Sequence, residues 1–198
     1  MTNLAGAKPQ QVEKKPTRFV PGQPDMWVFV LFESLLFTGY FSVYLIGRIQ
    51  NRDLYLQSQA DLDLRFGIFN TIALLLSSWA IARCVQASRE GEYRDALRDA
   101  FLTIAFGVAF LVSKVFEWVK EVRLGNTFTS NKFFEHFYFL TSIHLLHLLI
   151  GFIVMAVAVY QLWSPARRSQ QLVETCATYW HTVDFLWVLI FALLYVVR

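Results

Sequence analysis

Six residues in this 198-residue chain can do acid–base or ligand chemistry from within apolar surroundings: Glu33, Glu117, His144, His147, His181 and Asp184. Each lies in or at the end of a run dominated by Leu, Phe, Val and Ile. A titratable group in such a run is costly to hold and is read by default as functional. Three chemistries fit these residue types. Carboxyl and imidazole groups can exchange protons or hydrogen-bond neighbouring helices. Histidines on facing helices can hold haem iron, and carboxylate-rich clusters can hold hard metal ions.

Spacing narrows the choice. His181 and Asp184 are three apart and share one side of a helix. Helical rise places them and Glu33 roughly 6 to 11 Å inside the same membrane boundary, so the three are expected to meet, with Glu33 turned toward the last helix. Glu33 itself has three open readings: a neutral carboxyl that glues helices together, a carboxyl that trades protons or gates lipid, or a metal ligand. His144 and His147 are also three apart and share a face, whereas two ligands of one iron must approach from opposite sides. His147 is expected nearer the bilayer middle than His181, which makes that pair a poor axial set too. Core histidines with ordinary partners are the favoured reading. Lys114 stands one turn before Glu117, so the two can pair.

Five apolar runs must position these groups, at about 27–48, 66–87, 100–119, 137–163 and 177–197. Crossing a bilayer takes about 20 residues at about 1.5 Å each. Composition agrees: 56% of residues are hydrophobic, 17% are aromatic, and the mean hydropathy of +0.41 is too high for a soluble domain of this size. The expected fold is all-α, a polytopic membrane protein built as a bundle of five transmembrane helices over 26–198. A flexible basic arm over 1–25, rich in Pro and Lys and without the apolar stretch of a signal peptide, precedes it. Pro24 and Asp25 suit a helix start. Gly125, Asn126 and Pro165 mark breaks between spans.

The small and polar residues of NTIALLLSS (70–78), with Gly107 and Gly151, let helices approach closely. Cys84 and Cys176 each stand alone and read as inert thiols at a membrane surface. The net charge of +3 sits in short connecting segments, and no basic stripe points to nucleic acid. The distribution of Lys and Arg favours a cytoplasmic amino terminus and an outside carboxyl terminus.

Taken together, FESLLFTGYF around Glu33, FNTIALLLSS around Asn70, FEW at 116–118, TSIHLLHLLIG at 141–151 and YWHTVDFLW at 179–187 resemble the subunit III family of haem-copper oxidases, across all five spans and in the family's order. Longer members have seven spans; this chain is similar to the short five-span form. Its opening, RFVPGQPDMWVF, resembles that of short proteins encoded with bacterial nitric oxide reductases and of some quinol or cytochrome c oxidases. The resemblance implies an accessory, non-catalytic subunit of the bacterial inner membrane. It would pack against a catalytic haem-copper subunit, hold structural phospholipids, and support complex stability, proton uptake and resistance to turnover inactivation. Haem and copper are expected only in the partner. Glu33 falls at the family's carbodiimide-reactive carboxyl, Glu117 at the acidic residue of the third shared helix, and His144, His147, His181 and Asp184 at motif positions. In longer members the two absent helices form one wall of a lipid-filled cleft, which here must be shallower or completed by another chain. A stand-alone proton pathway, a lipid-binding scaffold and a membrane cytochrome remain the alternatives.

Overall fold

Residues 23–197 are described by a computed structural model. The basic arm expected over 1–25 lies, up to residue 22, outside the described residues. The chain forms helices α1 (Pro24–Gln50), α2 (Arg52–Asp61), α3 (Leu64–Glu90), α4 (Tyr93–Arg123), α5 (Lys132–Trp163) and α6 (Gln170–Phe191). A 3-10 turn at Pro165–Arg167 joins α5 to α6, and a π turn at Ala192–Val196 extends α6. Five of these helices, with α6 taken through Val196, are long and apolar enough to cross a membrane.

Local chemistry sets the ends. Pro24 opens α1 at a position whose N–H has no helical acceptor, and Gln23 rather than Asp25 is the capping residue. Asp63, Asn131 and Ser169 cap α3, α5 and α6 by accepting from the backbone N–H of Arg65, Phe134 and Leu172. Gly91 closes α3 at φ 81°, a left-handed conformation that costs a residue without Cβ little. The charged segment SREGEYRDALRD, between the second and third apolar runs, is almost wholly helical, with only Gly91 and Glu92 outside α3 and α4. Alternating charges there pair with their own or neighbouring helices and do not need a loop to solvate them. The polar segment after Arg48 likewise folds, as α2, because Tyr55 buries its ring against Tyr44 and Phe133. The last helix starts at Gln170, seven residues before the apolar run. Cys84 and Cys176 both lie inside the bundle and not at its surface.

Helix α6 is the hub. Half of its apolar window is buried, against 17% for α1, which packs at the periphery on α5 and α6. The anchor of α6 is Trp180, fully buried. Its ring fills the space that side chains would take at Gly107 of α4 and Gly151 of α5: a Cβ there would lie 3.0 and 3.1 Å from indole carbons. Its Nε1–H donates to Ser77 of α3 (2.8 Å), whose hydroxyl donates to the Thr103 carbonyl of α4 (3.1 Å). One residue thus ties four helices together.

Two outcomes follow from these contacts. Gly107→Ala forces its methyl to 2.9 Å from Phe152 and should cost about 1–3 kcal/mol, as overpacked cores do. Gly39→Ala, with nothing within 4 Å, should be neutral or slightly stabilising, both read by thermal unfolding in detergent. Asp63, which caps α3, is held below the usual carboxylate range first by the Lys120 ammonium and then by the Arg65 N–H. Its contribution is present above the unfolded-state value near about 3.9 and is lost as pH falls through the lower folded value. Amide-exchange protection at the start of α3 should hold from neutral pH down to the carboxylate range and then drop, and Asp63→Asn should abolish that step.

Candidate functional site within the membrane

Five of the six candidate residues fall into three separate polar groups, and His144 stands apart from them. In the first, Glu33 of α1 meets His147 of α5, with Oε2 3.2 Å from Nε2. The other ring nitrogen, Nδ1, lies 2.8 Å from the Ile143 carbonyl, which can only accept, so Nδ1 carries hydrogen. Nε2 is thus the nitrogen left facing the carboxyl. Tyr179 of α6 closes the group by donating its hydroxyl to the His147 carbonyl (3.1 Å) while its ring stacks on Phe29 of α1. Glu33 is 8% exposed, so the pair is held almost out of contact with the surroundings.

The expectation that Glu33 would turn to His181 and Asp184 is thus corrected: its partner is on α5. Because α1 sits at the edge of the bundle, Glu33 reaches the α5 seam, while His181 and Asp184 face α3 across the other side of α6. Gly151 packs against Trp180 and His144 lies 5.3 Å from Trp187, so in the antiparallel register of α5 and α6 His147 sits nearer the middle of the span than His181.

The second group is on that α3 side. Ser78 lies 2.7 Å from His181 Nδ1. Asp184 feels the same Ser78 hydroxyl, yet among the described residues no well-formed hydrogen bond reaches either of its oxygens. The shared face expected for His181 and Asp184 is present, and the residue that joins them is a serine the sequence offered only as a packing residue.

His144 separates from His147. A three-residue step turns about 60° around the helix, enough to put the two on different seams. His144 is 1% exposed, edge-on to Phe110 of α4 and 5.3 Å from Trp187 of α6, and neither ring nitrogen has a hydrogen-bond partner among the described residues. The histidines therefore diverge, and no three His, Cys, Asp or Glu side chains among the described residues converge as a metal site.

The third group contains Glu117 and was largely hidden in the sequence. Lys114 is 1% exposed and donates to Glu117 Oε2 (2.8 Å) and to the Tyr195 hydroxyl (2.9 Å), which in turn donates to Glu117 Oε1. The ammonium also sits over Phe137, Trp187 and Tyr195, 4.7, 5.0 and 5.4 Å from the ring centroids. A cation with a carboxylate on one side and aromatic faces on the others is compensated without water. Glu121 continues the polar layer by accepting from Asn126, whose carbonyl accepts from Tyr138. The one-turn spacing of Lys114 and Glu117 signalled the pair; nothing in sequence tied Tyr195, 78 residues from Glu117, to it.

At the opposite end of these helices, buried Asp99 pairs with Arg83 and Arg98, and buried Glu174 pairs with Arg89. These bridges also escaped the sequence reading, because their residues lie beyond the apolar runs. Lys114→Met should destabilise the bundle by about 3–5 kcal/mol, since it leaves the Glu117 carboxylate buried without its cation. Adding Glu117→Gln should restore most of the loss by removing that charge, a coupling that thermal unfolding of the two single variants and the double variant measures.

Comparison with known proteins agrees with this architecture. The family profile described as cytochrome c oxidase subunit III matches residues 23–197. The chain is 30% identical to cytochrome c oxidase subunit 3 of Thermostichus vulcanus, over 85% of this chain and 84% of the relative. It is 31% identical to the subunit 3 of Synechocystis sp., over 88% of this chain and 77% of that protein. A probable cytochrome c oxidase subunit 3 of Nocardia farcinica is 27% identical over 86% and 85%. A bundle of five membrane-spanning helices that keeps its acidic and imidazole groups on internal seams, matched along nearly its whole described length, belongs to the cytochrome c oxidase subunit III family of haem-copper oxidases.

Proposed function

We propose that the chain is the accessory, non-redox subunit of its oxidase complex, packed beside a catalytic subunit that carries the haem and copper. The observation that carries the reading is the contact of Glu33 with His147, 3.2 Å apart on the seam under α1, the helix with the least of its surface covered. A carboxyl set against an imidazole in a dry site can exchange a proton with it. Its place at the bundle edge puts the two groups close to whatever lies against α1. Phospholipid and a neighbouring chain complete this face. Support for turnover and for stability of the complex follows from both roles. His144, His181, Asp184 and Glu117 hold the spans in register so that the pair stays closed.

The membrane is the bacterial inner membrane, with the amino terminus in the cytoplasm. The basic residues at the α3–α4 turn and Arg167 and Arg168 before α6 support that orientation.

Crosslinking of a tagged copy in native membranes, before any detergent, tests the assembly. Recovery of a haem- and copper-bearing catalytic polypeptide is the expected result, and its identity separates an oxidase from a nitric oxide reductase. Crosslinks only to unrelated chains would overturn the assignment. Within the recovered complex, Glu33→Gln keeps a hydrogen-bonding group against His147 but cannot release a proton. It should leave assembly and thermal stability intact while slowing proton uptake and hastening inactivation during turnover. Glu33→Ala should in addition loosen α1, by about 1–3 kcal/mol for the partner left unpaired. Unchanged turnover in Glu33→Gln would remove the proton role.

A further inference from the structure

A groove of about 1070 Å³ runs along the outer side of α3 and α4. Its walls are apolar, with Phe69, Val108, Val112 and Phe116 at the sides and the small Ala105 and Ala109 between them. At one end it meets Arg65, Lys120 and Arg123, against the single carboxylate of Asp63. Lys120 is committed to Asp63 at 2.9 Å. Arg65 and Arg123 are exposed, and among the described residues neither has a carboxylate within 4 Å. The cations lie where α3 begins and α4 ends, at the level of a membrane interface, and the apolar part runs inward from them. From Arg123 back to Ala105 the helix rises roughly 27 Å at about 1.5 Å per residue, more than one leaflet of hydrocarbon.

An apolar groove is ordinary on a membrane-facing surface, but one that ends in two uncommitted guanidinium groups is not. A protein helix laid along it would press its own apolar face onto Arg65 and Arg123 and leave both charges short of partners. A phospholipid with an anionic headgroup satisfies both parts, its phosphate accepting from the guanidinium forks while an acyl chain fills the slot over Ala105 and Ala109. Both walls belong to this chain.

We propose that the α3–α4 groove is a binding site for one anionic phospholipid, with Arg65 and Arg123 reading the phosphate and the Ala105–Ala109 slot holding an acyl chain. The inference rests on the membrane-spanning fold and not on which catalytic subunit the chain joins, so it can fail while the proposed function stands.

The test uses the full chain in phosphatidylcholine vesicles with a minor fraction of phosphatidylglycerol, comparing the motionally restricted fraction of chain-labelled phosphatidylglycerol with that of labelled phosphatidylcholine. A basic residue near an anionic lipid is worth about a fivefold gain in occupancy. The wild-type chain should prefer phosphatidylglycerol, and Arg65→Gln with Arg123→Gln should lower that preference at least about fivefold. Ala109→Trp, which fills the slot and leaves every charge in place, should lower it as well. A preference unchanged in the charge variant overturns the proposal, and so does one lost there but kept in Ala109→Trp, which would mean a diffuse surface charge and no groove site. Helix content and thermal unfolding confirm that each variant is folded. In native membranes, a photoreactive side chain at Phe116, which lines the groove, should label phospholipid; labelling of a polypeptide there would overturn the proposal.

Discussion

The fit of Trp180 between Gly107 and Gly151 fixes where the central helix stands, and most of the interior follows from it. Tryptophan is the largest side chain, and two glycines on facing helices are what allow it to lie at the junction of α3, α4, α5 and α6. In hydrocarbon, lipid tails are as apolar as leucine, so helices gain little by burying apolar surface against one another. Close packing and hydrogen bonds must hold the bundle, and the Trp180–Ser77–Thr103 chain supplies both at one point. With α6 set in depth and rotation, Tyr179 is carried to the His147 carbonyl, His181 to Ser78, and Trp187 to Thr71.

Around that anchor the polar groups are kept apart in compartments. The Glu33–His147 pair lies at the lateral edge under α1, the Lys114–Glu117–Tyr195 group lies deep between α4 and the end of α6, and the Ser78 group lies on the α3 side. They differ in kind: a carboxyl against an imidazole, a full ion pair inside an aromatic cage, and a hydroxyl on an imidazole beside a carboxyl with no hydrogen-bond partner among the described residues. The ion pair is the costliest to bury and is also the most completely enclosed, with Lys114 and Glu117 both at 1% exposure or less. The Glu33–His147 pair is the one nearest the open face.

Both outward faces follow the same physics. Helix α1 contributes little to the core and offers a broad apolar surface beside a polar pair, and the α3–α4 groove offers an apolar slot with cations at its mouth.

The amino-acid sequence by itself determined the five spans, their order and the residues that interrupt them, because the bilayer's thickness and the cost of an unsatisfied backbone act on each segment separately. It also determined the Lys114–Glu117 pair and the common face of His181 and Asp184, which depend only on one helix's pitch. The helices run up to seven residues past the apolar runs, since bridges from exposed arginines to buried carboxylates, such as Arg89–Glu174, let charged segments remain helical. Only the tertiary structure decided which seam each polar residue faces: Glu33 to α5 and not α6, His144 apart from His147, Tyr195 onto Glu117. Those choices depend on how each helix is rotated about its axis, and rotation is set by contacts such as Trp180 in its glycine slot, made between residues far apart in the chain.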